Sequence, residues 1–117
     1  MPADQAHHLI RGRSAEERAW RWLRLRGWRL CARNWVGGGG ELDIVASRWT
    51  TLLVVEVRAR SSAERAWASI DRDKLKRTKQ AALALINQHG LRRYRLRIDL
   101  IAVDTQGRIS RKRDIVV

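Results

Sequence analysis

Asp43 and Glu56 are the two residues of this chain whose type and spacing most directly suggest chemistry. Each lies within one of two apolar runs, Glu41–Arg48 and Thr51–Arg58, rich in Leu, Val and Ile and separated by the polar pivot Trp49-Thr50. Such runs read as the two strands of a hairpin. With the turn centred on the pivot, antiparallel register sets Asp43 opposite Glu56 and Glu41 opposite Arg58. Side chains facing each other across such a ladder have Cβ atoms about 4.5–5.5 Å apart, where like charges repel. Two facing carboxylates beside an apolar run call for a cation. A hard divalent ion, Mg2+ or Mn2+, suits a ligand set of carboxylates, a backbone carbonyl and water. Such an ion polarises a phosphodiester and helps generate hydroxide from bound water. The other arrangement open to these residues pairs Glu56 with Arg58 or another arginine and leaves Asp43 in solvent.

The rest of the chain must position this pair. Its 117 residues suffice for one domain, expected over residues 13–117 behind a flexible tail over residues 1–12. No stretch approaches the roughly 18 apolar residues of a membrane span, and Met1–Arg11 has no secretory hydrophobic region, so a cytoplasmic protein without membrane contact is expected. Cys31 is the only cysteine, which rules out an internal disulfide and a cysteine zinc cluster. A net charge of +13 and a pI near 11.6 point to a polyanionic partner, with nucleic acid the obvious one. Only Lys74, Lys76, Lys79 and Lys112 of the basic residues are lysines; the rest are arginines, whose forked heads suit phosphate and stack on bases.

In chain order, Ser14-Ala15-Glu16-Glu17 reads as a capping box opening the first helix, with Ser14 as N-cap and Glu17 reaching back to it. Glu16 leads the row Glu16, Ala19/Trp20, Leu23, Gly27 and so shares the inward face, while Gly27 ends the helix. Trp28–Val36 reads as a strand. Gly37 to Gly40 precede a strand, where a phosphate-cradling loop would precede a helix, so they are expected to be a supple connector. Ala59–Ser69 reads as a polar connection. The second helix is expected over Ile70–Gln88, with Leu75, Thr78, Ala82, Leu85 and Ile86 inward and Gly90 closing it. Arg72, Lys74, Lys76, Arg77 and Lys79 crowd its first half, an arrangement that adds to the positive end of the helix dipole and that a docked anion would relieve. Tyr94–Val103 alternates as a strand in which Arg97 and Asp99 share a face, and Arg108–Val117 is expected to add a basic edge strand. Trp49 and Trp67 are candidates for stacking on bases.

Glu16-x-x-Ala19, Arg33-Asn34, Gly40-Glu41-Leu42-Asp43-Ile44-Val45-Ala46, Val55-Glu56-Val57-Arg58-Ala59-Arg60-Ser61, Lys74 and Arg97-Ile98-Asp99-Leu100 follow one another in an order and spacing that closely resembles the YraN-like family of bacterial proteins. That family is grouped with the PD-(D/E)xK nuclease superfamily, alongside Holliday-junction resolvases and restriction endonucleases. The resemblance spans roughly residues 12–104. It implies an α/β fold with a restriction-endonuclease-like αβββαβ core, a mixed sheet flanked by helices. It also implies a metal site of Asp43, Glu56 and the Val57 carbonyl, with Glu16 as an active-site carboxylate from the first helix and Lys74 as a basic group from the second. Position 58 corresponds to the superfamily's catalytic lysine and here is Arg58. A permanently protonated arginine shields charge and orients, but does not deprotonate a water.

The function these readings imply is a Mg2+- or Mn2+-dependent endonuclease acting on DNA, structured or branched DNA in particular. Asp43, Glu56, Arg58 and Glu16 would form its catalytic set, and Arg60, Arg72, Lys74, Lys76, Arg77 and Lys79 would contact nucleic acid. A homodimer is what analogy with resolvases suggests. The alternative is a non-catalytic nucleic-acid-binding module on a nuclease scaffold that has lost turnover at Arg58. An RNA-associated assembly protein fits the charge but leaves the facing carboxylates unexplained.

Overall fold

The computed structural model describes the backbone of residues 3–115 and the side chains of residues 14–115. The elements are α1 (Ala3–Arg24), β1 (Arg29–Gly37), β2 (Gly40–Arg48), β3 (Thr51–Ala59), α2 (Ala63–Ala68), α3 (Arg72–His89), β4 (Arg95–Val103) and β5 (Ile109–Lys112). The five strands form one sheet in chain order. β3 and β4 pair in parallel, and the other neighbours are antiparallel. The parallel pair needs a crossover, which α2 and α3 supply. This is the expected mixed sheet flanked by helices, with β5 added at the far edge. No helix of the described residues is long and apolar enough to cross a membrane.

Each face of the sheet is covered. Ala15, Ala19 and Leu23 of α1 pack on Ile44, Ala46, Leu53, Val55 and Ile101. Ala81, Ala82 and Leu85 of α3 pack on Leu42, Val45, Leu52, Val54 and Ile98 on the other side. Burial on both faces explains why the middle of β3 and the run Ile98–Val103 are continuously apolar apart from Glu56 and Asp99. Asp99 is fully buried, but its carboxylate takes two bonds from Arg97 at 3.1 Å and one from the Asp114 N–H.

Three local readings change. The backbone is helical from Ala3, so Ser14 lies inside α1 and caps nothing. Glu17 instead bonds the Arg33 guanidinium at 2.6 Å. A capping box is worth about 0.5–2 kcal/mol and acts only where the preceding chain leaves the helix. The side chains of residues 1–13, His7 and His8 among them, lie outside those described. In the second change, the polar connection after β3 folds into α2, N-capped by Ser62, whose Oγ accepts the Arg65 N–H.

The third concerns the glycines, which form a tight hairpin rather than a supple connector. Gly37 pairs with Gly40, and Gly38 and Gly39 turn the chain at φ +59° and +83°, both in the left-handed region that such two-residue turns demand. The turn is pressed against α3: a Cβ on Gly40 would stand 2.7 Å from the Arg77 carbonyl oxygen, and one on Gly38 2.7 Å from the Ala84 Cβ. Gly40→Ala is therefore expected to destabilise the fold by about 1–3 kcal/mol, read from urea unfolding. An unchanged midpoint would show the turn to be loosely held.

Candidate functional site

The β2–β3 ladder runs in the expected register from Arg48↔Thr51 to Ile44↔Val55 and stops there. Beyond that point the two strands part. The facing of side chains also slips at this level: Ile44 and Ala46 point toward α1, whereas Val45 and Leu42 both point toward α3, so strict alternation breaks at Asp43. Asn34 of the neighbouring β1 takes the left-handed conformation at φ +50°, which asparagine tolerates better than most residues. The Asp43 carboxylate turns into the gap and accepts the Val57 N–H at 2.9 Å. Because the N–H and C=O of one extended residue point to the same edge of a strand, the Val57 carbonyl opens toward β2 as well.

Glu56 belongs to the α3-facing set of β3 and is only 3 % exposed. Its Oε1 has two cations at loose distances, Lys74 Nζ at 3.7 Å and Arg58 Nη2 at 4.0 Å, while Oε2 is buried without a hydrogen-bond partner. Burial, and then the nearby Asp43 carboxylate, push the Glu56 carboxyl up to about 8 despite those cations. Glutamate held this way keeps its proton near neutrality, and that proton relieves the repulsion with Asp43. Asp43 and Glu56 thus lie close enough to repel, although the paired register ends one residue short of them, and Glu56 also keeps a loose ion pair with Arg58.

Glu16 stands on the α1 side of Asp43. Burial and Asp43 raise its pKa, while the Asn34 side chain and the Arg33 guanidinium, 3.8 Å away, hold it down. Among the described residues no three His, Cys, Asp or Glu side chains converge at metal-binding spacing. Glu16 therefore flanks the pair rather than completing a three-carboxylate cage. Asn34 and Arg33 are the neighbours to which sequence reasoning gave no task, although Arg33 ties Glu16 and Glu17 to the sheet.

The basic residues divide. Lys74 turns from the first turn of α3 toward Glu56. Arg72, Lys76, Arg77 and Lys79 are exposed on the outer side of α3. The start of that helix is capped by Asp71, whose carboxylate accepts the Lys74 N–H at 2.6 Å. Arg60 emerges where β3 ends, its guanidinium bonded to the Ala59 carbonyl. Trp49 is 93 % exposed at the hairpin tip, about 20 Å from Asp43 at the strand rise of roughly 3.3 Å per residue. It cannot stack on a base beside a phosphate held at Asp43. Trp67 is half-buried within α2.

Two carboxylates, a carbonyl at the strand edge, a guanidinium and an ammonium form the chemical inventory of this site. Comparison with known proteins matches residues 15–103, a span that includes every one of these groups, to the family described as uncharacterised protein family UPF0102. A UPF0102 protein of Myxococcus xanthus is 39 % identical over 110 residues, covering 91 % of this chain and 83 % of its own length. One from Rhizorhabdus wittichii is 39 % identical over 92 residues, with 79 % and 78 % covered. A third, from Kosmotoga olearia, is 36 % identical over 102 residues, with 87 % and 89 % covered. The order and spacing of the acidic and basic motifs, the sheet that carries them and these matches together assign the chain to the UPF0102, or YraN-like, family.

Proposed function

We propose that this protein hydrolyses phosphodiester bonds in DNA with Mg2+ or Mn2+ held by Asp43, Glu56 and the Val57 carbonyl. The observation that carries the reading is Glu56: a carboxylate buried in the sheet, one oxygen without a partner and Asp43 beside it. Lys74 and Arg58 stand only loosely by, at 3.7 and 4.0 Å, and such a group is stabilised as an anion when a cation binds both carboxylates closely. Magnesium ordinarily takes only one or two protein carboxylates and fills its remaining positions with water and substrate phosphate, which fits a pair better than a cage. The bound ion would supply Lewis acidity at the phosphate and a water of lowered pKa.

The chain's own groups then divide the work. Asp43 and Glu56 hold the ion. Arg58 remains protonated and shields the charge that develops on the phosphoryl oxygens. Lys74 is the ammonium beside Glu56 and adds a second positive charge on that side of the site. Glu16 orients solvent on the far side of Asp43. The +13 net charge supports a polyanionic substrate, and branched or structured DNA is the form the family resemblance suggests, cut in the cytoplasm.

Arg58 favours a second reading, a binding module without turnover. Labelled junction, flap and duplex DNA incubated with the protein and Mn2+ separate the two. Metal-dependent nicking by the parent chain is expected, with Lys74→Met slowing it about 100-fold, within the range for loss of one charge-stabilising donor, and Arg58→Lys changing it less than about tenfold. Cleavage appearing only in Arg58→Lys would establish the degenerate module, and cleavage in neither would end the hydrolytic reading.

A further inference from the structure

A second set of basic groups lies on the opposite face of the sheet from α3, along the seam between α1 and the β4–β5 hairpin. Ser14, Arg18 and Trp22 follow one another at four-residue spacing, so they form one stripe on α1; from Ser14 to Trp22 it runs about 12 Å at 1.5 Å per residue. At one end of the seam Ser14, Arg18, Arg60, Asp104, Thr105 and Gln106 line a cavity of about 420 Å3, with the Asp104 carboxylate bonded to Arg108. The Arg18 guanidinium lies directly over Gly107, whose added Cβ would meet it at 2.5 Å. At the other end two guanidiniums stack on the Trp22 indole, Arg26 3.7 Å and Arg111 5.2 Å from its ring centre.

The charges of this seam are unbalanced. Burial, and then the crowding of Arg113, Arg97 and Arg26, lower the affinity of Arg111 for the proton, while the Asp99 carboxylate pulls the other way. The carboxylates on hand are committed: Asp99 to Arg97 and the Asp114 N–H, Asp104 to Arg108 and two backbone N–H groups. Among the described residues neither Arg18 nor Arg111 has an ion-pair partner. Guanidiniums stacked on an indole, next to a cavity lined by Arg18 and Arg60, match the alternation of phosphate and base along a nucleic-acid strand.

We infer that the seam between α1 and the β4–β5 hairpin binds the sugar–phosphate backbone of a nucleic-acid strand, with Arg18 and Arg111 on phosphates and Trp22 between them. The strand would leave the seam past Arg60, at the end of β3 that carries Glu56 and Arg58. The inference rests on the DNA-directed reading above but specifies a different face from the outer side of α3. Its test is kept separate from hydrolysis.

Binding of labelled single-stranded and duplex 30-mers is measured by fluorescence anisotropy in EDTA, where no cleavage occurs, across a series of salt concentrations. Arg18→Gln/Arg111→Gln preserves much of the stem packing on Gly107 and Trp22; its folding is checked by melting. The double variant is expected to bind at least about tenfold more weakly at 0.1 M salt, with the slope of log K against log salt shallower by nearly 2 on duplex. Arg18→Lys/Arg111→Lys is expected to restore most of the slope, which a purely structural role would not require. Arg72→Gln/Lys76→Gln on α3 is expected to matter less. An unchanged slope in the Gln pair, or a larger loss from the α3 pair, would overturn the inference. Loss in the Gln pair without cleavage by any variant under Mn2+ would leave this interface standing and remove the hydrolytic function alone.

Discussion

At pH 9 and without divalent metal, Glu56→Gln is expected to be more stable than the parent chain by about 2–3 kcal/mol, while at pH 5 the two unfold nearly together. The sign follows from where Glu56 sits. Burial and Asp43 lift its folded pKa to about 8 from an ordinary 4.5, so the folded state holds a proton that the unfolded chain gives up. That contribution to stability is fully present below about 4.5 and is lost as pH climbs through about 8. The slope in between cannot exceed roughly 1.4 kcal/mol per pH unit for one proton, and relaxation around the charged carboxylate keeps the total below what that slope would give over the whole interval. Glutamine, equal in size and without a charge, escapes the penalty. In a domain of this length the difference appears as a melting shift on the order of 5–10 °C at pH 9. Equal shifts at pH 5 and pH 9 would show that Glu56 titrates normally.

Asp43→Asn is expected to reduce DNA cleavage at least about 1000-fold and to leave the fold intact. Asparagine can still accept the Val57 N–H that Asp43 accepts at 2.9 Å, but it removes one of the two anionic ligands. It also removes the negative charge that helps to raise the Glu56 pKa, so the alkaline loss of stability should shrink along with the activity. Asp43→Ala adds a second effect: the Val57 N–H loses its acceptor, at a cost of about 1–3 kcal/mol. The two variants should therefore share a catalytic defect and differ in urea midpoint. Residual cleavage within tenfold of the parent in Asp43→Asn would remove Asp43 from the machinery.

These effects trace to features that differ in how far local rules could reach them. The register of β2 and β3 was legible because one turn fixes it, and the structure holds it up to Ile44↔Val55. The opening beyond that point was not, since it comes with a slip of facing at Asp43 that no local pattern announces. The spacing of Glu16 from Ala19 and Leu23, both buried on the inner face of α1, did put it on the helix face turned to the sheet. Lys74 could be recognised as basic, but only the packing of α3 shows that it turns to Glu56 while Lys76 stays outside. The glycine turn misled because glycine marks freedom in isolation, whereas here its missing side chain lets the backbone lie against α3. The stripe of Arg18 and Trp22 acquires meaning only when β5, far along the chain, brings Arg111 over the indole.

Mn2+ titration by calorimetry, in buffers of different ionisation enthalpy at pH 7, tests the Asp43–Glu56 site most directly. A single ion is expected to bind with release of close to one proton, because Glu56 must give up the proton it holds below about 8, and Glu56→Gln should bind at least about 100-fold more weakly with no proton released. Equal affinity and proton release in the two proteins, or no binding by the parent chain at millimolar Mn2+, would contradict the account.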